Sequence, residues 1–97
     1  MYSWGNNEAR SAGPFWDAIA VYDDLIGRFG TASEPALREQ VAAALYNKGG
    51  ALSAVGGPEE SIAVYNDLLA RFGTASEPAI RQWAAKAKSS LKNLQKS

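Results

Sequence analysis

Residues 19–40 read IAVYDDLIGRFGTASEPALREQ, and residues 62–83 read IAVYNDLLARFGTASEPAIRQW. The two stretches lie 43 residues apart and agree at 16 of 22 positions, which chance cannot produce. The chain therefore contains a duplicated supersecondary unit, and a period of this length is the signature of a repeat architecture. The remaining differences are mostly mild, such as Ile26 to Leu69, Gly27 to Ala70 and Leu37 to Ile80.

Within the unit the apolar residues recur at helical spacing. From Pro58 they fall at Ile62, Val64, Tyr65, Leu68, Leu69 and Phe72, with intervals of three, four and seven that mark an amphipathic helix and not a strand. Gly57 serves as an N-cap and Pro58 fits the first turn, where a missing N–H costs nothing. Glu59 and Glu60 complement the positive end of the helix dipole. Arg71 stands near the other end, and Gly73 is expected to stop the helix in a left-handed conformation. The earlier copy runs from Pro14 or Phe15 to Phe29 and is expected to stop in the same way at Gly30. The linker GTASEP then opens a second helix, with Ser33 and Ser76 as the expected N-caps. That helix is long, and Val41, Ala42, Leu45, Leu52 and others spread over a wide arc until Gly56-Gly57. Gly49 and Gly50 fall inside it at about 1 kcal/mol each relative to alanine. Glycines kept at that cost point to close approach of another helix; the alternative is a helix break at this pair.

At these residues the sequence resembles the tetratricopeptide (TPR) family. ALYNKGGAL (44–52) followed by PEESIAVY (58–65) looks like the two helices of a TPR motif, with Gly49, Leu52, Ser61 and Tyr65 at the matching intervals. The resemblance implies an all-α fold, an α-solenoid of antiparallel helical hairpins with about five helices including a C-terminal capping helix. Gly49 and Ser61 would let paired helices approach, and Tyr65 would fill the space between pairs. The unit departs from the familiar 34 residues and is similar to a long-repeat subclass of just over forty. Other helical-hairpin repeats of similar length stay open. On this reading the chain is a single domain, with residues 1–30 a diverged first repeat, 31–73 a second and 74–97 a solvating cap.

The ends are less regular. At an offset of 44, Tyr2, Asn6 and Gly13-Pro14 fall where Tyr46, Gly50 and Gly57-Pro58 stand, so the segment is either a diverged first helix or a frayed arm, and a short helix over residues 6–12 is expected. Trp4, Phe15 and Trp16 are expected to be core or cap residues covering the open end, with ligand contact as the lesser alternative. The last helix carries a stripe of Ile80, Trp83, Ala84, Ala87, Leu91 and Leu94, while Lys88 replaces Leu45 of the repeat and Ser89 replaces Tyr46. One face packs and the other meets water, as a terminal repeat requires.

Composition narrows the function. Lysine plus arginine equals aspartate plus glutamate at ten each, so no basic excess is available to grip nucleic acid or an anionic membrane. Lys86, Lys88, Lys92 and Lys96 read as a solvated face without interleaved aromatics. Neither histidine nor cysteine is present, which removes the usual general base, thiolate chemistry and the commonest metal ligands. Asp23-Asp24 and Glu59-Glu60 are sequence neighbours that diverge by about 100° on a helix, so neither pair forms a catalytic dyad. No enzyme activity and no cofactor are expected. No apolar run approaches the roughly 18 residues of a membrane span, and the N-terminus lacks the features of a signal peptide; a soluble protein, cytoplasmic by default, is expected.

The resemblance implies a polypeptide or protein partner on a concave face lined by the first helix of each pair. Those positions are Ala43, Tyr46, Asn47, Gly50, Ser53 and Ala54, together with Lys86. Asn47 and Lys86 match part of the carboxylate-binding pattern of some TPR domains, with Asn6 a further candidate, but Tyr2, Ser89 and Ser90 replace its other basic residues. Two alternatives stand beside this reading: an engineered or trimmed repeat protein with no evolved ligand, and self-association through the stacking faces.

Overall fold

The computed structural model describes residues 13–96, and within them the protein has four α-helices and no strand. They are α1 (Gly13–Phe29), α2 (Pro35–Ala54), α3 (Pro58–Phe72) and α4 (Pro78–Lys96). The short helix expected over residues 6–12 lies outside the described residues, as do Tyr2, Trp4 and Asn6. Each helix packs on its neighbour in the chain, and α2 also packs on α4. The molecule measures 51 × 33 × 15 Å. Its thinnest dimension is that of two helix layers about 8–10 Å apart, measured between Cα atoms. The radius of gyration is 14.5 Å, against about 12.5 Å for a compact domain of this length; the helices form a slab.

The core lies where α2, α3 and α4 meet. Leu68 and Ala42 are fully buried, with Val41, Leu45, Tyr65, Phe72, Ile80, Ala84, Ala87 and Leu91 around them. A smaller cluster of Ile19, Ala51 and Leu52 joins α1 to α2. The expected α4 stripe is thus the packed face: Ile80, Ala84, Ala87 and Leu91 are buried, and Trp83 and Leu94 pack against them.

The glycine pair does not break α2, which runs unbroken from Pro35 to Ala54. A Cβ on Gly49 would fall into the Tyr65 ring, 2.7 Å from Cζ and 2.9 Å from Cδ1, so only glycine lets α3 come this near. The seam is closed by Ser61, wholly buried, whose hydroxyl donates to the Gly49 carbonyl at 2.6 Å. A buried hydroxyl with its bond made avoids the desolvation penalty of an unpaired one.

Three local expectations are corrected. The N-cap of α2 is Glu34, not Ser33, and Glu34 makes no side-chain capping bond. Pro35 is the cause: the residue before proline is driven out of the helical region, and Glu34 sits at φ −69°, ψ 131°. The copy behaves alike, because α4 begins at Pro78 and the Glu77 carbonyl, not that of Ser76, accepts from the Arg81 amide. Next, Gly73 is right-handed at φ −62°, and Gly30 is not left-handed either. Their common constraint is room, since a Cβ on Gly73 would stand 2.5 Å from the Leu69 carbonyl oxygen and one on Gly30 would collide with that of Ile26. Left-handed backbone occurs instead at Gly56, φ 86°. There the Gly57 amide donates to Leu52 O and the Gly56 amide to Ser53 O, the paired bonds that end a helix in a Schellman turn. Finally, Phe15 and Trp16 are not core residues; they are 45% and 46% exposed.

Candidate partner-binding face

The wide apolar arc of α2 has more than one duty. One side meets α3 through Gly49, another meets α4, and between them Tyr46 is left half-buried at the surface. Its ring lies 5.8 Å from Tyr65 and 5.6 Å from Trp83, centroid to centroid, at tilts of 42° and 49°. Such tilted pairs are favourable geometry for aromatic quadrupoles. Lys86, one turn beyond Trp83, holds its ammonium 4.6 Å from the Trp83 centroid and 6.0 Å from that of Tyr46, within cation–π range. Lys86 thus has aromatic neighbours in space, although none is interleaved with the lysines in sequence, and Lys86, Lys88 and Lys92 are exposed as a solvated face would be. Spacing of three on a helix is the signal that pairs Trp83 with Lys86, while Tyr46 reaches them only because α2 packs on α4.

Asn47 and Gly50 are exposed beside Tyr46. Together with Phe15, Ala18 and Tyr22 of α1 they border an open groove of about 400 Å³. The α1 side of this groove did not figure among the sequence candidates. Ala43 is half-buried, and Ser53 and Ala54 are exposed, but none of these three lines the groove. The structure thus unites Tyr46, Asn47 and Gly50, adds Lys86 through the aromatic pair, and leaves Ala43 and Ser53 apart.

Some of the charged residues form ion pairs. Asp24 and Asp67 hold Arg28 and Arg71 one helical turn away, and Asp23 meets Lys48 of α2 at 2.5 Å. Arg38 reaches Glu77 at 2.6 Å, both about one-quarter exposed, and lies 5.5 Å from the Phe72 ring centroid. The described residues contain no group of three histidine, cysteine, aspartate or glutamate side chains able to hold a metal ion. None of their helices is long and apolar enough to cross a membrane. No family model matches the chain, and no curated protein or solved structure is found to be similar to it.

Proposed function

We propose that the chain is a non-catalytic protein-interaction module of the TPR-like type, binding a polypeptide across the α2–α4 face and using no cofactor. Support for the solenoid comes from the packing scheme. α2 packs on α3 and also on α4, as expected when the first helices of successive pairs lie side by side. The observation that carries the binding role is the cluster of Tyr46, Trp83 and Lys86 beside the open groove. Rigid, half-exposed aromatics with a cation at their rim are what polypeptide interfaces use as anchors. Asn47 supplies a donor and an acceptor for a peptide backbone.

A random peptide-display selection against the intact chain tests this. Binders should emerge whose affinity falls about tenfold, roughly 1.4 kcal/mol, in Tyr46→Ala and Lys86→Glu variants with unchanged circular dichroism. Absence of binders, or binders indifferent to both changes, would favour a repeat scaffold without a ligand.

A further inference from the structure

Charge is divided unevenly along the chain. Residues 78–97 carry five of the ten lysines and arginines and no acid, while residues 1–77 carry all ten acids. Net neutrality thus conceals a helix, α4, whose charged side chains are all basic. Among the described residues every base outside α4 is held by a carboxylate: Arg28 by Asp24, Arg38 by Glu77, Lys48 by Asp23 and Arg71 by Asp67. Arg81, Lys88 and Lys92 of α4 are exposed and take part in no ion pair there.

These three stand seven and four residues apart, so they share one face of the helix. The small side chains of Ala85 and Ser89 leave open clefts beside the cations. One, of about 260 Å³, is bordered by Leu69, Gly73, Arg81, Ala84, Ala85 and Lys88, and the other, of about 240 Å³, by Ala85, Lys88, Ser89 and Lys92. From Arg81 to Lys92 the face extends about 16 Å, the reach of about five extended residues.

The duplication indicates the chemistry that meets such a face. The first cleft repeats one bordered by Ile26, Gly30 and Arg38, whose copies are Leu69, Gly73 and Arg81. There Arg38 donates to Glu77 at 2.6 Å, and its guanidinium lies 5.5 Å from the Phe72 ring centroid. Arg81 has neither kind of partner among the described residues. Lys88 and Lys92 stand where Leu45 and Gly49 join α2 to α3. A helix seated on them as α3 sits on α2 would bury two ammonium groups, which is unfavourable unless carboxylates meet them. Residues 1–12 hold one acid and one base, so they offer no acidic run.

We propose that the Arg81, Lys88 and Lys92 face of α4 binds a short acidic segment of a partner polypeptide. One carboxylate takes at Arg81 the place that Glu77 holds at Arg38, others meet Lys88 and Lys92, and the segment lies over Ala85 and Ser89. A neutral chain exerts no long-range pull on a nucleic acid or an anionic membrane. In a second copy Asp23, Asp24, Asp67 and Glu77 are already paired with that copy's own bases. Lys86, two residues from Lys88, projects about 160° away, so this surface is separate from the Tyr46, Trp83 and Lys86 cluster.

The test titrates the full, isotopically labelled chain with a ten-residue glutamate peptide, followed by NMR. Saturable amide shifts are expected at Ala85, Lys88, Ser89 and Lys92, weakening as salt is raised. Affinity should fall at least about tenfold in a Lys88→Glu, Lys92→Glu double variant with unchanged circular dichroism, and severalfold in Arg81→Gln. Arg28→Gln removes the same charge from α1 and should change affinity less than about twofold. No shifts on α4, or equal losses from Arg28→Gln and Arg81→Gln, overturns the proposal. Tighter binding of a ten-nucleotide single strand or of anionic lipid vesicles to the same residues overturns it in favour of phosphate. Dimers that form with concentration and vanish in the double variant overturn it in favour of a second copy. A loss in Tyr46→Ala equal to that in the double variant would move the peptide to the α2–α4 face, sinking this proposal and leaving that reading intact.

Discussion

Gly49 and Gly50 are adjacent in one helix, yet their glycines answer to different constraints. At Gly49 an added Cβ enters the ring of Tyr65, which is 3% exposed and has nowhere to swing. At Gly50 the nearest atom is the Tyr65 hydroxyl oxygen at 3.8 Å, an ordinary contact. Helix propensity favours alanine at both by about 1 kcal/mol, while overpacking a filled core costs about 1–3 kcal/mol. Gly49→Ala should therefore destabilise the protein by up to about 2 kcal/mol, and Gly50→Ala should stabilise it by up to about 1 kcal/mol. Urea denaturation of the two variants decides the matter; changes of the same sign would mean that the seam is not set by Tyr65.

At the scale of elements, the helix boundaries follow from proline and glycine chemistry. Pro35 and Pro78 set where α2 and α4 begin, overriding the better capping side chains of Ser33 and Ser76 one residue earlier, because a steric restriction on the residue before proline outweighs a single capping bond. The turn between α2 and α3 depends on Gly56 in the left-handed region, where a Cβ meets no neighbour and only the backbone conformation is at stake. Gly56→Ala should cost about 1–2 kcal/mol, read as a lower denaturation midpoint with an unchanged urea dependence. A neutral result would show that the turn relaxes to another geometry.

Across the whole molecule, cover is distributed unevenly between two nearly identical sequences. α3 sits between α2 and α4 and supplies the fully buried Leu68, whereas the corresponding Leu25 of α1 is only half-buried. Local opening is easier where fewer apolar contacts must be broken. Amides of residues 21–25 should accordingly exchange with solvent at least about tenfold faster than those of residues 64–68 under native conditions. Hydrogen exchange measured by NMR provides the comparison, and equal protection would contradict the unequal packing of the two copies.

Taken alone, the amino-acid sequence determined the duplication and the four helices within residues 13–96, whereas it left the passage through Gly49-Gly50 open and offered the seam of Gly49, Ser61 and Tyr65 only through a family resemblance. The duplication and the helices are legible because helical periodicity and the steric limits of glycine and proline act over a few residues. The fate of Phe15 and Trp16, the meeting of Tyr46 with Trp83 and Lys86, and the difference between Tyr22 and Tyr65 were decided by tertiary structure. Identical local sequences cannot encode unequal burial by themselves; burial depends on which helix lies alongside, and that neighbour is supplied by residues distant in the chain.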